Sequence, residues 1–328
     1  MQDDLTNRIF TESEHRFDEL AWEIFCHQYK YTPIYRAFCD LLFKTPSTIS
    51  HVTEIPFLPI SFFKSHDVIA KDKIPVKIFE SSTTTGSQPS RHLVSDLSLY
   101  EQSYRLGFEC FYGSPEQYVF IALLPSYMER GTSSLLYMAD DLIELSKQPL
   151  SGFINKDLKE LIARLNAANA TQQKIFLLGV TYALLDFAEQ PGADLNGAII
   201  METGGMKGRR AEITREELHG ILTKAFNVPK IHSEYGMTEL LSQAYSSGDG
   251  IFRCPPWMRV TANNPHDYTD RVEPGKTGIL NIIDFANLNS CSFIATSDLG
   301  RIYSDGSFEV LGRMDNAELR GCNLMYGD

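Results

Sequence analysis

Between residues 76 and 233, short unbroken apolar runs alternate with longer amphipathic stretches, and this alternation leaves few architectures open to the chain. VKIFES (76–81) reads as a strand, DLSLYEQSYRLGFECFYG (96–113) as a helix, and QYVFIALL (117–124) as a second strand. Helical patterns follow over 133–145 and 156–168, then the apolar run Lys174–Gly179, a helix over Thr181–Glu189 and a strand over Gly197–Glu202. A helix over Arg215–Phe226 and a short strand over Lys230–Ser233 complete the series. The strands are apolar throughout instead of at every second residue, as expected for a parallel sheet covered by helices on both faces.

The flanks have a different texture. Residues 1–45 place Leu20 and Ile24, and Trp22, Phe25 and Tyr29, near the helical period, which predicts two helices. From Thr45 to Pro75 four prolines (Pro46, Pro56, Pro59, Pro75) impose an extended connection. After Asp249 come short β-prone segments divided by turns: MRVTAN, GILNIIDF, SFIATSD and GRIYSDGSFEVLG. They predict a smaller, mostly antiparallel lobe, with Asp305-Gly306 as a hairpin turn. The expected division is a helical segment and proline-rich arm over 1–75, an α/β core over 76–248, a β-rich lobe over 249–311 and a hinge-like terminus over 312–328.

Composition excludes several classes. With 328 residues, 43% of them hydrophobic, the chain buries a full core, roughly 75% of its unfolded surface. The start, MQDDLTNRIF, is polar where a signal peptide is basic and then apolar, so a cytoplasmic location is expected. The most apolar stretches, Tyr118–Pro125 and Ile175–Leu185, fall short of the roughly 20 residues of a membrane span. Thirty basic residues against 42 acidic ones give a formal charge of −12, which argues against nucleic acid but leaves a locally held nucleotide possible. Six cysteines without a CxxC pair fit neither a disulfide framework nor a structural zinc site, and the eight histidines show no HExxH spacing.

Two segments carry chemistry. Ser81–Ser90 follows an apolar strand and gathers seven hydroxyl side chains in ten positions, the composition of a phosphate-wrapping loop, without the GK[ST] ending of an ordinary P-loop. His232-Ser233-Glu234-Tyr235-Gly236-Met237-Thr238-Glu239 follows another strand and sets a hydroxyl beside a carboxylate at a strand end, where α/β sheets bind ligands and a carboxylate can hold magnesium next to a phosphate. Read alone, the first could be a plain helix-capping loop, and Thr238-Glu239 could be the first turn of a helix.

Together with Ser297-Asp298-Leu299-Gly300-Arg301 and Gly312-Arg313-Met314-Asp315, these segments stand in the order and spacing of adenylate-forming enzymes. The chain resembles the acyl-CoA synthetase superfamily from about residue 76 onward. Within it, the chain is most similar to the phenylacetate-CoA ligase branch and, through EYGMTELLSQ (234–243), to the acyl-protein synthetase (LuxE-type) family. The resemblance implies an α/β large-domain fold of layered, mostly parallel sheets with helices and a smaller β-rich lobe. It also implies ATP and magnesium as cofactors. Ser82, Thr83, Thr84, Thr85 and Gly86 would grip the outer phosphates. Gly204 and Gly205 would let adenine lie against bare backbone, with Tyr235 stacked on its other face and Gly236 beside it. Thr238 would touch the α-phosphate and Glu239 would bind magnesium; Asp298 would accept from the ribose hydroxyls, with Arg313 nearby. Thr84 stands where a glycine is usual, and Ser90 where many members carry lysine.

The chain ends at Asp328, about fifteen residues after Gly312, where full-length ligases continue into a further domain with an adenylation lysine. The usual C-terminal domain is thus expected to be absent, as in acyl-protein synthetases, which pass the acyl group to a cysteine of their own. Cys322, beside Arg320, is the candidate acceptor, and the other five cysteines are expected to be packing residues. Lys207 and Arg209, with Arg210, could contact the phosphates, or could be a solvated ion-pair set. The expected activity is activation of a carboxylic acid, a fatty acid by this resemblance, to acyl-AMP and pyrophosphate, then capture as a thioester and delivery to a reductase or acyltransferase protein. An aryl- or acyl-CoA ligase and a non-catalytic scaffold subunit are the competing readings.

Overall fold

A computed structural model of the chain describes residues 2–82, 88–125, 131–155, 157–190, 195–206, 210–211, 213–265 and 267–314. It forms two compact units, one made of Met1–Lys73 with Pro256–Asp328 and the other of Ile74–Pro255. The first unit opens with α1 (Gln2–Tyr31) and α2 (Pro33–Leu41), the two helices expected, followed by β1 (Leu58–Pro59) and α3 (Phe62–Ser65). α1 bends at Arg16, where the backbone leaves the helical region (φ −131°, ψ 34°). Pro33 opens α2 at its first turn, where the missing N–H has no helical partner to lose.

The second unit departs from the expected pattern at its first strand. β2 (Lys77–Glu80) pairs antiparallel with β3 (Arg91–Val94) in a separate two-stranded sheet, so the VKIFE run is not part of the parallel layer. The intervening loop is short enough to fold the chain straight back, whereas a parallel pairing needs a crossover of a dozen or more residues. Then come α4 (Leu97–Tyr112), β4 (Tyr118–Leu123), α5 (Ser134–Ser146), β5 (Gly152–Ile154), α6 (Leu158–Ala170) and β6 (Lys174–Val180). The unit closes with α7 (Thr181–Ala188), β7 (Ile199–Thr203), α8 (Arg215–Phe226), β8 (His232–Tyr235), β9 (Ala244–Ser246) and β10 (Ile251–Arg253). Strand order in the unit is β10-β9-β8-β7-β6-β4-β5. The run from β8 to β5 is parallel, and β9 and β10 are antiparallel.

Local chemistry sets these boundaries. Asp96 caps α4 by accepting from the Ser98 N–H, and Gly113 ends it at φ 75°. Thr214 and Glu217 form a reciprocal capping box at the start of α8. β4 is buried at every position, and the Phe120 and Phe176 rings stack at 5.0 Å with Phe108 of α4 at 5.1 Å from Phe176.

The rest of the first unit is the antiparallel sheet anticipated after residue 249. It contains β11 (Met258–Asn264), β12 (Asp267–Arg271), β13 (Thr277–Asp284), β14 (Phe293–Ile302) and β15 (Phe308–Arg313), ordered β12-β11-β13-β14-β15 with β1 parallel to β14. The 302–308 hairpin turns through Gly306, which alone of the Asp-Gly pair has positive φ (80°). α1 is fastened to this sheet by Gln28, which donates to the Asn287 and Leu288 carbonyls and accepts from the Ser292 N–H, while Phe17 stacks on Phe285 at 4.3 Å. Cys39 and Cys291 are buried, and burial pushes the Cys39 thiol up to about 12. Cys110, expected to pack, is instead exposed on the outer face of α4. Among the described residues no helix is long and apolar enough to cross a membrane.

Candidate active site

The parallel strands of the second unit end side by side, and two of those ends carry the chemistry. β7 finishes at Glu202-Thr203 and runs into Gly204, whose φ of 70° favours glycine, and Gly205, beside which lies open space. Both glycines are exposed. The Thr181 hydroxyl at the start of α7 donates to the Gly204 carbonyl at 3.0 Å and lies 3.3 Å from the Glu202 carboxylate. Glu202 is buried, with Arg215 at 3.6 Å and His219 at 3.7 Å, both brought from α8.

β8 ends in Glu234-Tyr235, followed by Gly236-Met237-Thr238-Glu239. The Leu240 N–H bonds the Met237 carbonyl, closing a turn that leads to β9, so no helix begins at Thr238. The His92 ring of β3 holds this turn through Nδ1, 2.8 Å from the Thr238 carbonyl. A carbonyl only accepts, so Nδ1 carries the proton. Burial lowers the His92 pKa to about 4, which keeps the ring neutral. Glu239 and Tyr235 are both buried, and the Tyr235 ring meets Phe252 at 5.9 Å and 60°.

Glu234 accepts a hydrogen bond from the Thr203 hydroxyl at 2.5 Å. Burial pushes its carboxyl up to about 7, and the nearby Glu202 charge acts in the same direction. A side chain at Gly236 would run into this carboxylate. His232, by contrast, is a buried ring: Tyr112 Oη lies 3.2 Å from its Nδ1, and burial lowers its pKa to about 4.

The structure thus brings Gly204, Gly205, Tyr235, Gly236, Thr238 and Glu239 to neighbouring strand ends of one unit. Ser82 belongs to the same unit and is exposed, next to Ser81 and Ser90, whose backbones pair at 3.0 Å. Thr83, Thr84, Thr85 and Gly86 lie outside the described residues, as do Lys207, Arg209 and Cys322. Arg210 is an ion-pair residue, joined to Asp186 and Glu189. Asp298 and Arg313 belong to the other unit, where they oppose each other across β14 and β15 at 3.6 Å. His92, Thr181 and Tyr245 carry no sequence signal that would have singled them out, since their roles come from partners 146, 23 and 11 residues away. Glu202 was visible only as the acidic residue two positions before the glycine pair.

No family model matches the sequence, and no curated protein matches it. Solved structures do. ATP-bound MatB from Rhodopseudomonas palustris superposes with a TM-score of 0.56 at 16% identity, covering 86% of this chain and 58% of that one. A 2-hydroxyisobutyryl-CoA ligase in complex with 2-HIB-AMP and CoA superposes with a TM-score of 0.66 at 13% identity, covering 94% of this chain and 71% of that one. The chain has the adenylate-forming ligase fold. It spans 58% of the length of MatB, and at these identities the likeness is one of architecture. Within that fold, the Gly204-Gly205 and Tyr235–Glu239 segments occupy the carboxyl ends of adjacent parallel strands, the usual place for ligands in open α/β sheets.

Proposed function

We propose that the chain activates a carboxylic acid, with a fatty acid as the favoured class, by joining it to ATP as acyl-AMP with release of pyrophosphate. The observation that carries this reading is the meeting of the glycine pair and the Tyr235–Glu239 turn at the ends of β7 and β8 in an adenylate-forming ligase fold. In this reading the exposed backbone of Gly204 and Gly205 receives adenine, with Tyr235 and Gly236 alongside. Thr238 donates to the α-phosphate from a turn held by neutral His92. Ser82 and Thr83–Gly86 take the outer phosphates, helped by Lys207 and Arg209.

The donor set suits magnesium. Glu239 supplies a hard carboxylate oxygen, and among the described residues no group of three or more His, Cys, Asp or Glu could hold a metal alone. Magnesium is commonly held by one or two carboxylates plus substrate phosphates. When bound it supplies charge neutralisation at the phosphates. The chain's own contribution is positioning: it holds the acid's carboxylate in line with the α-phosphate while Thr238 and backbone N–H groups stabilise the developing charge.

The acyl group then passes to Cys322. Its thiolate attacks the acyl carbonyl, a C–S bond forms, the C–O bond to AMP breaks, and AMP leaves with the electron pair. A reductase or acyltransferase protein would receive the acyl group. A second reading draws on the CoA-bound 2-hydroxyisobutyryl-CoA ligase and makes coenzyme A the acceptor. The test is acid-dependent exchange of labelled pyrophosphate into ATP, with mass spectrometry of the C-terminal peptide. Exchange with wild type and Cys322→Ala, and acyl mass on the peptide of wild type alone, is the expected result. Undiminished acyl-CoA formation by Cys322→Ala selects the second reading, and absence of exchange with every acid refutes adenylation.

A further inference from the structure

A small pocket in the second unit is lined by apolar side chains and by two polar residues of β8 and β9. Phe108 of α4, Met138 and Leu142 of α5, and Phe176 and Met201 of the sheet contribute to its walls, and Glu234 and Tyr245 supply its polar groups. The two are direct cross-strand partners between β8 and β9, so they share a face of the sheet. The Tyr245 hydroxyl is buried and has no hydrogen-bond partner, in a residue only 3% exposed. A buried phenol left unpaired in a ring of hydrocarbon is costly unless something arrives to accept from it. The room there is that of a single water-sized group, about 10 Å³.

We propose that this pocket receives the far end of the acid substrate, and that Glu234 and Tyr245 select an acid whose chain ends in a hydroxyl. This inference rests on the adenylation reading and deepens it. A hydroxyl both donates and accepts: it donates a hydrogen bond to the Glu234 carboxylate, which is ionised above about pH 7, and accepts one from the Tyr245 hydroxyl, so both polar groups are matched. A methyl end leaves the phenol and one carboxylate oxygen unpaired, and an ammonium end has no lone pair to offer Tyr245. The small volume restricts the match to the terminal hydroxyl. Sites built to hydrogen-bond a substrate hydroxyl reject analogues lacking it far more strongly than hydrocarbon pockets reject an extra hydroxyl.

The test uses the full chain with Mg-ATP and labelled pyrophosphate. The acids are matched pairs: omega-hydroxybutanoate and butanoate, omega-hydroxyhexanoate and hexanoate, omega-hydroxydecanoate and decanoate. The wild type is expected to prefer the hydroxylated member of at least one pair by about tenfold or more in kcat/KM. In Tyr245→Phe, which keeps the ring and loses only the donor, that ratio collapses toward one. Wild-type preference for the methyl-ended acids, equal use of both, or a ratio untouched by Tyr245→Phe overturns the proposal. If no acid supports exchange, the adenylation reading has failed, and ligand-induced shifts in Tm decide the pocket by itself. A shift from the hydroxylated acid in wild type and not in Tyr245→Phe supports it, and equal shifts from both acids, or none from either, reject it.

Discussion

Glu234 titrates where an ordinary glutamate does not, and this has a consequence for stability. Its carboxyl is raised from 4.5 to about 7 in the folded chain, so between those values the native state binds a proton that the unfolded state has released. Its contribution is complete below pH 4.5 and is lost as pH rises through 7, about 3 kcal/mol in all. His92 and His232 act in the opposite sense. Each falls from 6.5 to about 4, so their contributions are complete above pH 6.5 and are lost as pH falls toward 4. From these three groups, stability measured by urea unfolding is expected to rise up to about pH 6.5 and then level off, because the last of the gain from the two histidines offsets the loss from Glu234. Glu234→Gln should turn that plateau into a continued rise toward pH 8 and steepen the fall below pH 6.5; an unchanged plateau would contradict the buried carboxyl. At this scale the sequence was partly legible. Tyr235, Thr238 and Glu239 stood in a recognisable run, but the titration of Glu234 depends on Thr203, Glu202 and the apolar walls, which only the folded sheet assembles.

Among the elements, α8 shows how a local signal reaches the site. The Thr214 and Glu217 box starts the helix, and the helix carries Arg215 and His219 to the buried Glu202 before the glycine pair. Thr214→Ala should lose about 1 kcal/mol of stability, read as a lower urea midpoint at unchanged slope. Thr214→Ser should restore most of it, because the hydroxyl is what caps. This helix was read from the sequence at its true ends, Arg215–Phe226, since period and cap agree. β3 was not seen. Its four residues lie just beyond a hydroxyl-rich loop, and nothing local told that Glu80 would pair with Arg91. The same blindness assigned VKIFE to the parallel layer, because an apolar run fits a parallel strand and a two-stranded sheet equally well.

For the molecule as a whole, the alternation of apolar runs and helices was enough to specify the architecture, and the texture change after residue 249 specified the antiparallel sheet. What the linear pattern did not reveal is that the first compact unit is built from both ends of the described chain, while Ile74–Pro255 is continuous. The continuous unit has its own sheet and buried aromatic cluster. A fragment comprising Ile74–Pro255 should therefore keep native-like far-ultraviolet circular dichroism and melt cooperatively; a featureless, gradual melt would show that it lacks an independent core.

Gln28 meets its carbonyl partners at a separation of 259 and 260 residues along the chain. On a ribosome, α1 therefore emerges long before Phe285 and Phe293, which pack against Phe17 and Phe25, have been made. At bacterial or eukaryotic elongation rates the interval is on the order of ten seconds to a minute. For that time the nascent chain presents a greasy helix with no home, so its earliest residues must be among the last to settle, and the yield of mature protein will depend on what shields them meanwhile.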